Sequence, residues 1–478
     1  MTDVSVWYLG YILGEWIIRL GMLPVVVRGG RRPDSAMAWL LVINFLPFLG
    51  LLLYALLGNY RLPQRRVRRH SELQKQFNEI RRRLESHPQC QAPPIDEEYQ
   101  PIVRLAERLG YYQTLGHNKM ELMIDTNQVI DTLISEIDQA KHHVHLLYYI
   151  FADDATGRRV ADALKRAAAR GVQCRVLADA VGSRPFFRTL APEMRAAGVD
   201  VRAALPVNPF RRKAARIDLR NHRKLAVIDG LVAFAGSQNI VDASYGHKDL
   251  AWCDMSCRLR GPTVLPLQSV FVIDWYFETD EILSDPEYFP VPPEAGNALI
   301  QLLPSGPSYP SENYQRAITA ALYAAKRQVI ITTPYFIPDE PLLQAVQVAA
   351  SRGVDVILIV PSRSDQKLVG AAGRAYYSDI LRAGARLYLF EAGLLHAKTV
   401  TVDDSIAVIG SSNFDIRSFM LNFELSLLVY GPEPTNQLRE KQLSYLKDAH
   451  ELTWEQWRQR PRTVRLFQNI ARLFSPLL

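Results

Sequence analysis

The chain has 478 residues, of which 48% are hydrophobic and 22% charged, and its formal net charge at pH 7 is +7. This length suffices for two or three domains, and the positive charge favours an anionic partner, either nucleic acid or acidic lipid. The four cysteines (Cys90, Cys174, Cys253 and Cys257) are too few for a disulfide framework. We interpret them as reduced thiols in a cytosolic compartment, and only remotely as a zinc site.

Two apolar runs lie near the N-terminus, Val4 to Val27 and Ala36 to Leu57. Each approaches or exceeds the roughly 20 residues that span a bilayer, so two transmembrane helices are predicted within residues 1–60, with no signal peptide. Glu15 and Arg19 interrupt the first run and are four residues apart, which allows them to pair on a helix. Pro24 and Pro47 are candidates for kinks, and a re-entrant first segment remains an alternative.

Basic residues around these runs predict the orientation. The connection contains three arginines and one aspartate, whereas five arginines follow the second run: Arg61, Arg65, Arg66, Arg68 and Arg69. The richer flank stays cytoplasmic, which places the N-terminus and everything after residue 61 inside. Residues 61–117 are predicted as a basic linker, whose charged segment RRVRRHSELQKQFNEIRRRLES is a juxtamembrane helix on anionic headgroups or a solvated connector.

From residue 118 onwards, strands and helices alternate in two similar halves. TNQVIDTLISEIDQAK and GRRVADALKRAAARG have helical spacing, and VHLLYYIF and VQCRVLADA are predicted strands. SENYQRAITAALYAAK, QVIITTPYFI, EPLLQAVQVAASRG and VDVILIVPS repeat this order. The alternation predicts an α/β fold with a mixed, largely parallel sheet and helices on both faces. Two pseudo-symmetric lobes, residues 118–290 and 291–434, would then have a site between them.

Each half contains one copy of the same motif. NHRKLAVIDGLVAFAGSQN and LHAKTVTVDDSIAVIGSSN both show H-x-K-x-x-x-x-D followed by G-S-x-N. The polar and ionisable residues of the motif, which are the candidate site residues, are His222, Lys224, Asp229, Ser237 and Asn239 in the first copy, and His396, Lys398, Asp403, Ser411 and Asn413 in the second. A lone H-x-K is usually an ordinary surface strand, but two copies with the same spacing are not expected by accident.

These residue types suit phosphodiester chemistry. Side chains two apart on a strand point to the same face, so each His would project with its Lys. Neutral imidazole is a nucleophile and base, and an ammonium suits phosphate oxygens. Two such pairs around one phosphorus would form a site that needs no metal, and no cofactor is expected.

Each imidazole is also expected to have an orienting carboxylate on its other nitrogen. AWCDMSCRLRG and NFELSLLVYG align on their closing glycines, which places Asp254 and Glu424 at equivalent positions. We predict one carboxylate for each His without assigning which, and acids at the edge of the core are the alternative. His142, His143 and His145 alternate at the start of a strand and are predicted to be ordinary strand residues rather than metal ligands.

Two further stretches leave two interpretations open. A basic run precedes the first motif and consists of Arg211, Arg212, Lys213, Arg216 and Arg220. It is either a funnel that attracts an anionic headgroup or a solvated face. Residues 435–478 are predicted to form amphipathic helices. Their tryptophans and arginines, followed by Leu466, Ile470, Leu473 and Leu477 at helical spacing, indicate either a membrane-interface helix or packing against the catalytic core.

The duplicated motif resembles that of the phospholipase D superfamily. Together with NFLPFLGLLLYALLGNYR, YYIFADDATG, TPYFIPDE, SSNFDIRSFMLNFE and the terminal LFSPLL, it is similar to bacterial cardiolipin synthases of that superfamily over essentially the whole chain. The resemblance implies that Lys224, Lys398, Asn239 and Asn413 hold the non-bridging phosphate oxygens. It also places Ser237 and Ser411 among the substrate-binding residues, and Asp229 and Asp403 in the catalytic motifs, more as braces than as substrate contacts. G-S-Q-N departs from relatives that have a second Gly there.

The resemblance further implies that two phosphatidylglycerol molecules give cardiolipin and glycerol through a phosphohistidine. By analogy, His222 would attack phosphorus, and His396 would protonate glycerol and deprotonate the second alcohol. The alternatives are a phospholipase D-type hydrolase, including a nuclease, a transferase with another alcohol acceptor, and a membrane scaffold with an inactive site. The implied partners are phosphatidylglycerol and an anionic bilayer rather than nucleic acid, and a homo-oligomer is left open. The implied location is the bacterial inner (cytoplasmic) membrane, multi-pass, with cytoplasmic lobes.

Overall fold

The computed structural model describes residues 2–28, 33–58, 72, 87, 90, 95–207, 218–246, 250–291, 293–309 and 312–475. The predicted juxtamembrane helix apart from Glu72 lies outside the described residues. So do the five arginines after the second apolar run and four of the five residues of the basic run (Arg211, Arg212, Lys213 and Arg216). The chain divides into two units, Met1–Gln64 with Val207–Leu219, and Arg65–Pro206 with Arg220–Leu478.

The described residues of the N-terminal unit form three helices, α1 (Thr2–Arg28), α2 (Pro33–Phe45) and α3 (Pro47–Leu57). Among the described residues, only α1 is long and apolar enough to cross a membrane, over Trp7–Arg28. The predicted second span does not form. Its two pieces, of 13 and 11 residues, extend about 20 and 17 Å, which is too short for a hydrocarbon core of about 30 Å.

The second apolar run breaks at Leu46 because Pro47 has no backbone N–H and disfavours a helical conformation in the residue before it. The two short helices then fold back on each other. The rings of Trp39 and Tyr54 have centroids 5.2 Å apart, although 15 residues separate them. A Cβ at Gly50 would lie 2.8 Å from the Cα of Ile43, so only glycine permits this approach.

The tip of this helical hairpin packs against the middle of α1. The ring of Phe48 lies 5.4 Å from that of Tyr11, and Arg19 Nε donates to the carbonyl oxygen of Asn44 at 3.1 Å. Arg19 also pairs with Glu15 at 3.0 Å, which confirms the pairing predicted from their spacing. Arg19 thus supplies a donor to a carbonyl at the helix break, where a regular helix would use a backbone N–H.

The second unit contains twenty strands and twelve helices among the described residues. The strands are β1 (Thr114–Met123), β2 (His143–Tyr148), β3 (Gln173–Asp179), β4 (Asp200–Ala204), β5 (Arg220–Asn221), β6 (Lys224–Ile228), β7 (Val232–Gly236), β8 (Trp252–Cys253), β9 (Ser256–Arg260), β10 (Ala298–Ser305), β11 (Gln328–Thr332), β12 (Phe336–Ile337), β13 (Asp355–Pro361), β14 (Arg386–Phe390), β15 (Leu394–Leu395), β16 (Thr399–Val402), β17 (Ile406–Gly410), β18 (Phe414–Asp415), β19 (Asn422–Tyr430) and β20 (Ala449–Glu451). The helices are α4 (Gln100–Gly110), α5 (Thr126–Gln139), α6 (Ala155–Ala169), α7 (Leu190–Ala196), α8 (Val264–Thr279), α9 (Asn313–Ala324), α10 (Glu340–Ser351), α11 (Lys367–Arg382), α12 (Ile416–Met420), α13 (Pro432–Ser444), α14 (Trp454–Arg458) and α15 (Arg462–Leu473).

One large mixed sheet connects the two halves, in the order β20-β14-β13-β11-β16-β17-β19-β10-β1-β9-β7-β6-β2-β3-β4. Outward from the central β10–β1 pair, the strands of one half match those of the other as far as β14 and β4, which confirms two pseudo-symmetric lobes. Strand β20 is an additional edge strand of the second half. The sheet is not largely parallel, however. Among its described strands, parallel pairing is limited to β2-β3-β4, β11-β13-β14 and the short pair of β5 with β19. The other pairs are antiparallel and include the hairpins β6–β7 and β16–β17, whose tight turns join antiparallel strands.

The helices predicted around the parallel strands are present as α5, α6, α9 and α10. Asp154 and Asp339 cap α6 and α10 at equivalent positions, each accepting a backbone N–H of the first turn. The predicted linker ends earlier than expected, because α4 lies within residues 61–117 and is part of the folded unit. Ile102 and Ala106 of this helix are buried in the same core as Leu303 of β10.

Candidate active site

Both motif histidines lie just outside the strands on which they were expected. His222 lies between β5 and β6, and His396 between β15 and β16. Their backbone N–H groups bond to the opposite half instead: that of His222 to the carbonyl of Phe423 at 2.8 Å, and that of His396 to the carbonyl of Cys253 at 2.9 Å. This explains why regular pairing within each motif begins only at or after the lysine.

Short parallel pairs hold each motif against the other lobe. Strand β5 pairs with the start of β19, and β15 pairs with β8. In each case, the residue whose carbonyl accepts the His N–H, Phe423 or Cys253, is followed directly by the orienting carboxylate, Glu424 or Asp254. One site is therefore assembled from both halves in a crossed manner.

The carboxylates are exchanged between the lobes. The Nδ1 atom of His222 lies 2.9 Å from Glu424 Oε2, and that of His396 lies 2.6 Å from Asp254 Oδ1. A carboxylate accepts a hydrogen bond from Nδ1–H, which leaves Nε2 of each ring for chemistry. The histidine side chains are only 11% and 6% exposed, so both rings are nearly enclosed.

Ser237 and Ser411, which were predicted among the substrate-binding residues, contact these carboxylates. The hydroxyl of Ser237 donates to Asp254 at 2.6 Å, and that of Ser411 donates to Glu424 at 2.5 Å. The preceding glycines make this possible, since a Cβ at Gly236 or Gly410 would lie 2.4 Å from a backbone carbonyl oxygen of the adjacent strand. The G-S part of each motif therefore positions a carboxylate.

Lys224 and Lys398 are buried beside the histidines. Lys224 Nζ donates to the carbonyl of His222 at 2.6 Å, and Lys398 Nζ makes the same contact with the carbonyl of His396. Neither ammonium has a carboxylate within ion-pair distance in the part of the chain that the structure describes. Burial lowers the pKa of Lys224 to about 7 and that of Lys398 to about 8, only partly offset by Glu424 and Asp254. An anion between them would restore their charge.

Burial also lowers the pKa of His222 to about 4 and that of His396 to about 3, against the opposing effect of the carboxylate on each ring. The charges of Lys224 and Lys398 act in the same direction as burial on both rings, which shows that the four groups share one electrostatic environment. These lowered pKa values favour the neutral form of both imidazoles at pH 7.

Both motif asparagines are buried. Asn239 Oδ1 accepts the backbone N–H of Ile150 at 3.0 Å, whereas its Nδ2 is buried and has no hydrogen-bond partner among the described residues. Asn239 and Lys224 line one small cavity. Asn413 is buried as well, and its Oδ1 lacks a partner among the same residues. A buried amide donor next to an ammonium suits a phosphate oxygen.

Asp229 and Asp403 lie at the far ends of β6 and β16. Each has a positive φ, 52° and 50°, and each carboxylate accepts three consecutive backbone N–H groups, from residues 141–143 and 326–328 respectively. Asp229 is five positions after Lys224 along the extended chain, which is roughly 16 Å. These carboxylates therefore brace the fold, although their place in the motif had put them among the catalytic candidates.

Sequence reasoning missed a buried ion pair next to the first histidine. Arg223 is 1% exposed, pairs with Asp274 at 2.6 Å, and donates through Nε to the carbonyl of Glu424 at 3.0 Å. Asn221 donates to the same Asp274 oxygen at 2.8 Å. The available signal was Asp274, an acid in the middle of the mainly apolar helix α8. The second motif has Ala397 at the equivalent position, so this network distinguishes the lobes.

Two aromatic rings also flank the site. Tyr149 lies 4.8 Å from the His222 ring, and Trp252 lies 4.3 Å from the His396 ring. The other strand histidines are part of the core: the buried His145 stacks on Phe271 at 4.3 Å and bonds to Gln268. Of the basic run, Arg220 is described and lies in β5.

Two family models match the chain. The one described as "Cardiolipin synthase, PLD-like domain" matches residues 133–252 and 318–445, one segment in each lobe. The one described as "Phospholipase_D-nuclease N-terminal" matches residues 17–59, which include α2 and α3.

Known proteins show the same likeness. Cardiolipin synthase A of Yersinia pseudotuberculosis serotype O:1b (strain IP 31758) and that of Yersinia pestis are each 37% identical over 478 residues, with 98% of this chain and 98% of the relative covered. The crystal structure of phosphatidylserine synthase from Haemophilus influenzae Rd KW20 has a TM-score of 0.60 at 16% identity, covering 78% of this chain and 99% of that one. The latter likeness concerns the fold alone.

Proposed function

This chain belongs to the cardiolipin synthase family of phospholipase D-like phosphatidyltransferases, and from that premise we propose that it joins two phosphatidylglycerol molecules into cardiolipin and glycerol. The observation that carries the proposal is the crossed pair of His–carboxylate contacts with two buried lysines in one site. A phosphodiester has one negative charge, and the lysines are the buried cations that lack a carboxylate partner at this place. Its phosphorus would lie between the two Nε2 atoms.

The first step forms a covalent intermediate. Neutral His222, with Nδ1–H held by Glu424, attacks phosphorus through Nε2 while the bond from phosphorus to the glycerol oxygen breaks. His396 donates a proton to that oxygen, so glycerol leaves as a neutral alcohol. The anionic substrate favours the protonated form of His396 that this step requires, and Lys224, Lys398 and the amide of Asn239 stabilise the charge on the non-bridging oxygens.

The second step transfers the phosphatidyl group. His396, now neutral, removes the proton of the terminal glycerol hydroxyl of a second phosphatidylglycerol. The hydroxyl oxygen attacks phosphorus, the bond to His222 breaks, and cardiolipin forms with His396 protonated again. Positioned proton transfer contributes about 10²- to 10⁴-fold to such reactions, and aligned cations contribute a comparable or larger factor.

Product identification tests the proposal. Purified protein is incubated with phosphatidylglycerol labelled in its headgroup glycerol, and lipid and water-soluble products are identified by mass spectrometry. Cardiolipin together with free glycerol is expected, and both should fall to background in His222→Ala and His396→Ala. Phosphatidic acid with glycerol would instead identify a hydrolase, and no turnover would identify an inactive scaffold.

The chain is membrane-associated, and we propose that its catalytic lobes lie on the cytoplasmic side of the bacterial inner membrane. The N-terminal unit supports one crossing by α1, with α2 and α3 entering and leaving the bilayer on the same side, rather than the multi-pass arrangement expected from the sequence. The hairpin tip contacts the middle of α1, near Tyr11 and Arg19, as a segment turning at mid-bilayer would. Both basic flanks of α2–α3 then lie on the cytoplasmic side, as the positive-inside rule favours.

A further inference from the structure

The C-terminal helix α15 exposes its apolar face and buries its small and polar face. The side chains that pack inward are Gln468, Ala471 and Ser475. The exposed apolar side chains are Leu466 (61%), Phe467 (56%), Ile470 (46%), Leu473 (78%) and Phe474 (46%). At 100° per residue, the centres of the two faces are about 140° apart. This orientation is the reverse of that of a helix covering a core.

Polar contacts with α11 fix the helix in this orientation. The guanidinium of Arg472 pairs with Asp379 at 2.8 Å and lies 4.2 Å from the ring of Tyr376. The hydroxyl of Tyr376 donates to Ser475 at 3.1 Å. Arg460 donates to Gln468 at 3.0 Å and to Ser378 at 3.2 Å. The apolar face is therefore presented outward by specific bonds on the opposite side of the helix.

The charges around this face indicate what covers it. Five arginines and no acidic residue occur between Arg458 and Leu478. Arg458, Arg462 and Arg465 are exposed, and none of them forms an ion pair with an acidic side chain of the described residues. An apolar stripe bordered by arginines matches an anionic bilayer surface, where the side chains enter the acyl region and the guanidinium groups meet lipid phosphates.

We propose that α15 is an interfacial membrane helix, whose exposed face (Leu466, Phe467, Ile470, Leu473 and Phe474) inserts into the surface of the bilayer that contains the substrate. The membrane helix α1 keeps the chain at a bilayer but is a separate unit. Helix α15 is part of the catalytic unit itself. Its insertion would therefore hold that unit at the depth of the lipid headgroups. This membrane-docking surface is separate from the active site. The proposal rests on the proposed function, because it assumes that the substrate is a phospholipid in the bilayer.

The test separates docking from chemistry. Full-length protein carrying L466S, I470S and L473S is reconstituted in vesicles, and two substrates are compared: phosphatidylglycerol in the bilayer, and monomeric short-chain phosphatidylglycerol added to vesicles of phosphatidylcholine. Because apolar insertion provides the docking energy, bilayer turnover should fall roughly tenfold or more, whereas turnover of the soluble substrate should be unchanged. The replaced side chains are exposed, so the fold is retained.

The matched control makes the same chemical change elsewhere. Val348 and Leu443 are exposed apolar residues on α10 and α13, and V348S with L443S should leave both rates unchanged. Equal rates for the triple variant and the wild type on bilayer substrate, or an equal loss on both substrates, would overturn the proposal. So would a smaller oligomer in detergent, which would identify a second copy of the chain as the occupant. Wild-type protein that makes no cardiolipin from either substrate would contradict the proposed reaction instead.

Discussion

At the scale of single residues, the charge of the two motif lysines connects activity to pH. Burial lowers the pKa of Lys224 to about 7 and that of Lys398 to about 8, so both lose charge as the pH rises through this range. The pKa of His222, lowered to about 4, keeps the nucleophile neutral well below pH 6.5. We therefore expect kcat/KM, which reports the free enzyme, to fall from pH 7 to 9 and to persist below pH 6.

Arginine substitution provides the control for this pH profile. A guanidinium keeps its charge throughout the range, so K224R combined with K398R should lower the rate but remove most of the alkaline decline. A profile that is flat to pH 9 in the wild type, or an alkaline decline that is unchanged in the double variant, would contradict the assignment of this limb to the lysines.

The exchanged carboxylates give the two histidines different tests. E424Q should disturb the nucleophile His222, and D254N the acid His396, so each should slow the reaction of phosphatidylglycerol by roughly 10²-fold or more. A phosphatidyl ester of p-nitrophenol has a leaving group that needs no proton. With this substrate, D254N and H396A should still release a burst of nitrophenol, whereas E424Q and H222A should not.

Stopped-flow absorbance measures the burst, and the reverse pattern would exchange the roles of the two histidines. S237A is a useful companion to D254N, because it removes only the hydroxyl that holds Asp254. It should resemble D254N in pattern with a smaller loss of rate. If S237A changed only the KM for phosphatidylglycerol and left kcat unchanged, Ser237 would instead be a substrate-binding residue.

The duplication was sufficient to select the histidines, the lysines and both carboxylates as candidates, because these residues recur at equivalent places in the two halves. It could not assign each carboxylate to its ring. That pairing depends on β5 meeting β19 and on β15 meeting β8, which are contacts between distant segments. The hydrogen bonds of Ser237 and Ser411 could not be predicted for the same reason, since their carboxylate partners are 17 and 13 residues away in sequence.

At the scale of elements, Asp403 connects the β16–β17 hairpin to the start of β11. D403A removes the acceptor of three part-buried N–H groups and places Ala at a positive φ, so it should lower the free energy of unfolding by roughly 2–3 kcal/mol. D229A should cost less, because two of the three N–H groups that it accepts are exposed. Denaturant titration measures both.

The adjacent D404A is the matched control, because Asp404 bonds only exposed or partly exposed arginine side chains. It should change stability little. If D403A were as stable as the wild type but lacked activity per folded molecule, Asp403 would be a catalytic residue rather than a brace.

Periodicity located the helices and strands that flank the parallel parts of the sheet, because each has a strongly patterned buried face. It failed where one residue outweighs the pattern. Pro47 divides an apolar run that composition alone predicts to be one span. Residues of α4 look like part of a polar linker, yet Ile102 and Ala106 fill a core that only the second lobe completes.

At the scale of the whole molecule, the proposed membrane topology can be tested by the accessibility of the two termini. With one crossing by α1 and a re-entrant α2–α3 hairpin, an epitope at the N-terminus should be accessible from outside intact spheroplasts, whereas one at the C-terminus should be accessible only after lysis. P47L with G50L would favour one continuous helix of about 25 residues, long enough to span, and should move the N-terminus inside. N-terminal epitopes of the wild type and the variant both found inside would contradict the re-entrant hairpin.

The central claim is that His222, held by Glu424 from the opposite lobe, forms a covalent bond to the phosphorus of phosphatidylglycerol. Trapping this intermediate tests it most directly. H396A, which cannot deprotonate the second alcohol, is mixed with the ³²P-labelled p-nitrophenyl ester, quenched in alkali and mapped by mass spectrometry. The account predicts stoichiometric phosphatidyl label on His222 and none in the H222A/H396A variant. Label on another residue, or cardiolipin formation by H222A, would contradict it.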